Sequence, residues 1–467
     1  MSTLTQPIRV VFNTREPGYR FRTWVAYVAV FTLFAGDAVR YSIGWWGWGV
    51  LLVVLAACSF TLFFRSKSAG HEGALTWFKR VPGSLYALLG WMGLSIVWSN
   101  YQEISAVALV SQLATTMFAL FLAGMFSWRH LLRVFANSIR AILVLSILFE
   151  LYAAVIVRGP IAPIFGNYQG DKPPAADYYW TRAHLFDGER VQGIVGNANL
   201  LAYVSMIGLV IFAVEYAIWA GPRWLSAGSF GLALLCFGLA KSAGVTFALA
   251  AVLVSAFVSI AAEGKPKETR HRYYRFAWFS AGIVAFFILV YRAEVFDFFG
   301  KSPDMTGRSG IWKLVLGLIA DRPIFGWGWI SHWVPGVEPY AGLVVINKVP
   351  YYQAHNAYLD VVLQLGLIGG AIFASLLLVT FIKIWRLAVR HTSALYLWPI
   401  LVFVGILAQN LTESRMLIEI GWVMLTLFAI KANEPSDALE PKGKTPKRVR
   451  LLYQGLLRNL SQPRKDR

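Results

Sequence analysis

The sequence predicts an all-α integral membrane protein of about twelve transmembrane helices, and three observations carry that expectation. Of the 467 residues, 57% are hydrophobic and only 14% are charged, against about 25% charged in a typical soluble domain. Mean hydropathy over the whole length is +0.56. The apolar residues form continuous runs rather than alternating ones. In hydrocarbon every backbone amide must be satisfied within its own segment, so such runs read as helices and not as barrel strands.

In chain order the expected spans are 23–39, 42–64, 82–99, 103–126, 133–157, 197–219, 224–240, 242–262, 273–291, 357–382, 395–411 and 415–431. Each approaches the ~20 residues a helix needs to cross ~30 Å of hydrocarbon. With a cytoplasmic N-terminus, 30 of the 43 lysines and arginines fall in cytoplasmic segments. The short outer turns then keep only Arg40, Lys241 and Arg415. This agreement with the positive-inside rule supports an even number of spans and a cytoplasmic C-terminus.

The chain divides accordingly. Residues 1–22 form a cytoplasmic segment, and 23–157 hold helices one to five. A first extracytoplasmic loop, 158–196, is followed by helices six to nine in 197–291. A large extracytoplasmic loop, 292–356, lies between spans nine and ten, and helices ten to twelve fill 357–431. Residues 432–467 form a basic cytoplasmic tail in which Leu452, Leu456 and Leu460 suit a helix on the inner leaflet. The net charge of +19 reads as topology signals and attraction to anionic headgroups rather than as a nucleic-acid surface. Cys58 and Cys236 fall inside spans, so neither a disulfide framework nor a metal site is expected. No small-residue cleavage site precedes the first apolar run near Thr23, so no cleavable signal peptide is expected.

Candidate chemistry clusters at the two long loops. Thr306-Gly307-Arg308-Ser309 opens an apolar helical run that ends before Pro323, with Trp312 in its first turns. Thr306 or Ser309 is a candidate cap, and the run reads as a re-entrant or membrane-surface helix packed on the bundle. Arg308 at its N-terminus makes an anion site suited to phosphate, or it anchors the loop to lipid headgroups or an acidic neighbour. Asn356 is a candidate N-cap for span ten, which places His355 at a helix mouth that favours neutral imidazole; the alternative is an interfacial histidine facing headgroups. The segment from Asp187 to Asn199 has glycines that pin Arg190 over the bundle, or Arg190 forms a surface pair with Glu189 or Asp187. Lys241 and Ser242 occupy an outer turn, and Arg322 and Lys348 lie in the second loop. Together these cations and one histidine suit a substrate with two phosphates and a second reactant bearing a hydroxyl. Glu150, Glu413 and Arg415 carry less weight, as partners of nearby charges or as residues lining the cavity. Gly326-Trp327-Gly328-Trp329 reads as a turn with interfacial tryptophans.

From Thr306 to Gly370 the sequence resembles the O-antigen ligase and polymerase family of bacterial envelope glycosyltransferases. The resemblance rests on Gly307-Arg308, Ile311-Trp312, Pro323, Gly326, Gly328, His355-Asn356, Tyr358-Leu359 and Gly366-Leu367-Ile368-Gly369, with Arg190, Gly193 and Asn197-Ala198-Asn199 similar to the family's second signature. It implies a glycosyltransferase C-type fold, a glycan donor on polyprenyl (undecaprenyl) diphosphate, a lipid or glycan acceptor, and chemistry on the outer face without a metal or cofactor. It further implies that Arg190 and Arg308 hold the diphosphate and that His355 takes the acceptor proton. Lys241, Ser242, Arg322, Asn356, Trp312 and Asn199 are then candidate substrate-binding residues. Lys241-Ser242 departs from the family's usual serine with a nearby arginine. Ligase and polymerase remain open. A transporter or flippase would instead show ionisable groups deep in several spans and broken helices at midplane.

Overall fold

A computed structural model describes residues 19–65, 74–165, 178–262, 269, 272–273 and 308–434, apart from 347–348 and 392. These form a helical bundle. Its helices are α1 (Tyr19–Phe34), α2 (Gly36–Arg65), α3 (Ala74–Arg80), α4 (Gly83–Leu94), α5 (Gln102–Met125), α6 (Trp128–Leu151) and α7 (Ala198–Ala217). They continue with α8 (Arg223–Ala240), α9 (Ala243–Ala261), α10 (Arg308–Asp321), α11 (Ala357–Arg390), α12 (Leu397–Gln409) and α13 (Glu419–Lys431). A two-residue ladder pairs β1 (Val345–Ile346) with β2 (Val349–Pro350).

Seven of the described helical segments are long and apolar enough to cross a membrane, and the chain is a multi-pass membrane protein. The helices α1, α4, α12 and α13 also coincide with expected spans but are shorter, at 16, 12, 13 and 13 residues. The expected ninth span, 273–291, lies outside the described residues except at Tyr273, as do the segments 1–18, 292–307 and 435–467. Two boundaries differ from the sequence expectation. The first break falls at Ala35, and α2 already includes Asp37 and Arg40 before it kinks at Gly44 (φ 75°).

Burial separates the inner helices from the lipid-facing ones. In α7 and α13 nearly every side chain is buried, including Tyr203, Phe212, Trp422 and Phe428. By contrast α2 and α9 expose Val50, Val53, Phe60, Leu253 and Phe257. Apolar faces of this extent are stable only against hydrocarbon.

The long helix α11 is broken at Gly366 (φ 67°), and the loop after α10 docks into the break. Trp327 N and Gly328 N donate to Leu363 O and Gln364 O at 3.1 and 2.8 Å. Leu367 N donates to Pro323 O at 2.8 Å, and the Trp91 indole bonds Leu365 O at 3.0 Å. The backbone groups released by the kink are thus satisfied by protein, the condition for irregular backbone at membrane depth. Glycine is required at this contact, since a Cβ on Gly366 would lie 2.0 Å from Ile324 O. The Gly326–Trp329 turn therefore corrects the sequence reading in part. It is a turn, but Trp329 is fully buried rather than interfacial, because the turn inserts into the bundle.

The segment from α10 to His355 builds its own small core from Ile311, Val315, Ile330, Trp333, Tyr340 and Ala354. One face of α10 is buried against this core, while Leu314 and Leu316 are exposed. The helix packed on the bundle that the composition predicts is present. It begins at Arg308, and Thr306 lies outside the described residues.

Candidate functional site

The side chains singled out by sequence meet on a residue that sequence reasoning had set aside. Glu413, in the turn between α12 and α13, is 5% exposed. Its Oε1 accepts from Arg308 Nη2 and from Asn199 Nδ2, both at 3.1 Å. Its Oε2 faces His355 Nδ1 at 3.3 Å and Gln353 Nε2 at 3.4 Å. Four chain segments, at the starts of α7, α10 and α11 and in the α12–α13 turn, therefore converge on one carboxylate.

Local structure fixes each participant. Asn356 caps α11 as expected, its Oδ1 accepting from Tyr358 N and Leu359 N at 3.0 and 3.1 Å. His355 precedes the cap with φ 50°, a conformation uncommon outside glycine that swings the imidazole away from the helix axis. Asp360, one turn into α11 and 2% exposed, pins both flanks of the pair. It accepts from Ala354 N at 3.0 Å, from Trp333 Nε1 at 2.9 Å and from the Ser414 hydroxyl. Ala357 N reaches Glu413 O at 3.1 Å. The Trp312 indole donates to Ala354 O at 3.1 Å, tying α10 to the residue before His355.

Arg190 joins through Asn199. Its Nη2 donates to Asn199 Oδ1 at 2.5 Å and its Nε to Ala240 O at 3.2 Å. Ser242 Oγ donates to the same Asn199 oxygen at 2.9 Å. Of the two alternatives for Arg190, the structure takes the one over the bundle, and Asp187 pairs with His184 instead. Glu150 anchors this loop from below. It accepts from Gln192 N, Gly193 N and Thr181 Oγ1 at 3.2, 2.7 and 2.9 Å. Gly193 (φ 61°) sits so close that a Cβ would lie 2.6 Å from Ser146 Oγ.

Two sequence candidates lie apart from this cluster. Lys241 caps α8 in the left-handed region and donates to Gly188 O. Arg322 stands at the opposite end of α10 from Arg308, about 20 Å away at 1.5 Å per residue. There it lies 4.2 Å over the Trp327 ring and 3.5 Å from Asn100 Oδ1. Lys348 is outside the described residues.

The electrostatics favour an ionised Glu413. Burial pushes its carboxyl up, but the hydrogen bond and charge of His355, with Arg308 and Arg415, outweigh that and hold it at about 2. An ionised carboxylate only accepts, so His355 presents Nδ1 to it as the donor and turns Nε2 away from it. For Arg190 the charged form is disfavoured instead. Burial first, then the charges of Arg182 and Arg308, lower its pKa against the opposing pull of Glu413. Arg190, Arg308 and Arg415 thus surround one negative charge, and the excess of cations favours an anionic ligand. The arrangement holds an imidazole oriented by a carboxylate beside guanidinium groups.

Sequence reasoning missed Glu413 as the hub, along with Gln353 and Asp360. The available signal was the cost of placing a carboxylate between two strongly apolar spans.

Comparison with known proteins points the same way. Residues 194–374 match the O-antigen ligase family model. Over 198 residues the chain is 25% identical to the exopolysaccharide production protein ExoQ of Rhizobium meliloti (strain 1021), an alignment covering 40% of this chain. The chain spans 45% of that relative's length.

Proposed function

We propose that this chain is a membrane glycosyltransferase of the O-antigen ligase type. It transfers a glycan from polyprenyl diphosphate to a hydroxyl of a lipid or glycan acceptor. The family match supports a membrane enzyme that processes glycans. The observation that carries the finer reading is the meeting of Arg308 and His355, 47 residues apart, on the buried carboxylate of Glu413.

In this reading Arg190 and Arg308 hold the diphosphate. Its charge draws Arg308 partly from Glu413 and leaves the carboxylate to orient His355. His355 Nε2 takes the proton of the acceptor hydroxyl as its oxygen bonds to the anomeric carbon. The bond from that carbon to the diphosphate oxygen breaks, and the carrier leaves as diphosphate with its charge met by the arginines. The imidazolium that forms is stabilised by Glu413. Asn199, Ser242 and Lys241 hold the Arg190 loop in register, while Asn356 and Trp312 hold His355. Arg322 serves the headgroup side of α10. The donor tail fits a lateral apolar groove of about 530 Å³ lined by Val39, Ser42, Ile43, Leu148, Tyr152 and Trp180.

The same reading places the site on the extracytoplasmic face of a bacterial cytoplasmic membrane, with both termini cytoplasmic. Eleven of the twelve expected spans coincide with described helices, so a twelve-span, glycosyltransferase C-type bundle is the architecture we favour. The large catalytic loop then lies between spans nine and ten. The second reading is a polysaccharide polymerase, which uses the same donor and differs only in its acceptor; the matched relative is named for exopolysaccharide production.

The test is reconstitution of the full chain with polyprenyl diphosphate glycan and an envelope-lipid acceptor, with chelator and without nucleotide. Free polyprenyl diphosphate and a glycosylated product are expected. One addition identifies a ligase and a ladder identifies a polymerase. If no acceptor yields carrier release while vesicles move the lipid-linked glycan across the bilayer, the transferase reading is wrong.

A further inference from the structure

Arg415 differs from the other arginines at this end of the bundle. Arg190, Arg308 and Arg40 each donate to a protein oxygen: Asn199, Glu413 and Glu419 respectively. Arg415 is only partly buried, and among the described residues its guanidinium takes no hydrogen bond or ion pair. Its natural partner four residues on, Glu419, is already bound to Arg40 at 2.7 Å. Arg415 lies two residues beyond Glu413 in the same turn, which Ser414 ties to Asp360, and its charge helps hold the Glu413 carboxyl down.

The turn that carries it is rigidly built. Met416 and Leu417 are fully buried, and Met416 N donates to Asn410 Oδ1 at 2.7 Å. Gln112 Nε2 reaches Leu417 O at 3.3 Å. Helix α13 approaches so closely that a Cβ on Gly421 would lie 2.1 Å from Arg415 O. A guanidinium on a fixed backbone, two residues from a buried carboxylate, partly open to solvent and without an acceptor among the described residues, is accessible to an incoming anion. Such a group is preorganised for a ligand.

We propose that Arg415 is a second anion-binding point of the site, taking a phosphate group of a bound substrate. The phosphate belongs either to the donor diphosphate or to the acceptor. The proposal rests on the transferase reading for the identity of the substrates, but not for the existence of the anion site. Arginine offers a planar fork that grips a phosphate through two parallel N–H donors, which lysine cannot reproduce.

The experiment uses the full chain in lipid nanodiscs as wild type, Arg415→Gln and Arg415→Lys. Binding of farnesyl diphosphate, farnesyl monophosphate and inorganic diphosphate is measured at equilibrium. KM is then measured for a phosphate-bearing acceptor before and after phosphatase treatment. Loss of one charge-assisted contact predicts an effect of about 10- to 100-fold in Arg415→Gln, with a smaller effect in Arg415→Lys and an unchanged melting midpoint without ligand. Weakened farnesyl diphosphate binding assigns the phosphate to the donor. Unchanged binding, with KM raised only for the phosphorylated acceptor, assigns it to the acceptor. The proposal is overturned if a folded Arg415→Gln protein matches wild type in both measurements, or loses both acceptors equally with diphosphate binding intact. If Arg415→Gln does not fold, wild-type behaviour of Arg415→Lys in both measurements overturns it as well. Binding of farnesyl diphosphate that depends on Arg415, in a protein that transfers no glycan, would sink the transferase reading and leave the anion site standing. A wild type that binds none of the three phosphates and shows no preference for a phosphorylated acceptor would overturn the anion site itself.

Discussion

Replacing Glu413 with glutamine changes one oxygen to an amide nitrogen and leaves the side chain's shape intact. The consequences follow from its partners. Arg308 and Asn199 donate to one oxygen, and His355 and Gln353 face the other. Whichever side the amide nitrogen takes, it meets two donors, so at least two contacts turn repulsive. Each charge-assisted bond contributes about 1.5–3 kcal/mol, and breaking a buried ion pair costs about 3–5 kcal/mol. We expect Glu413→Gln to destabilise the fold by roughly 3 kcal/mol, since part of the loss is recovered by water at the half-buried arginines. Turnover should fall further, because the carboxylate that keeps the His355 proton on Nδ1 is gone. The corresponding amide replacement behind a serine protease histidine costs about 10⁴ in kcat. The assay pairs a thermal melt followed by tryptophan fluorescence with single-turnover release of carrier diphosphate. A variant that melts with the wild type and turns over within roughly threefold of it would refute the hub role of Glu413.

Three further outcomes follow from the same geometry. Gly366→Ala places a Cβ 2.0 Å from Ile324 O at a residue with φ 67°, so the α10–α11 junction must open. Loss of the folded protein or a melting midpoint lower by many degrees is expected, while Gly310→Ala, with no neighbour within 4 Å, serves as the tolerated control. Glu150→Gln removes the charged acceptor of Gln192 N and Gly193 N. Faster amide exchange across 188–196 than in wild type is the result to look for. Acid stability reports on Glu413, whose folded carboxyl sits at about 2 against 4.5. A depressed pKa favours the folded state fully above about pH 4.5, and that contribution disappears as pH falls through about 2. Glu413→Gln should therefore flatten the loss of melting midpoint over that window.

The membrane class and most spans were legible because hydrocarbon leaves a continuous signature in composition. So were the helix starts at Arg308 and Asn356 and the Asn356 cap, since capping chemistry shows in the local sequence. Glu413 was not, because its partners lie 58, 105 and 214 residues away and nothing in its own turn announces them. Trp329 was misread for the reverse reason. A tryptophan between glycines looks interfacial until Gly366 opens a gap in α11 that admits the turn. The sequence groups Arg322 with Arg308 only as cations of the second loop, and the fourteen-residue helix α10 sets the two at opposite ends.

The central claim is that Arg308 binds the donor while His355 acts on the acceptor. The most direct measurement is donor affinity and single-turnover rate, taken on the same samples of wild type, Arg308→Ala and His355→Ala with a polyprenyl diphosphate glycan. The account predicts that Arg308→Ala loses donor affinity by about 10-fold or more, the scale of one charge-assisted contact. It predicts that His355→Ala binds donor as wild type does and fails to turn it over. If His355→Ala transfers glycan at the wild-type rate, or Arg308→Ala binds donor undiminished, the assignment of roles is contradicted.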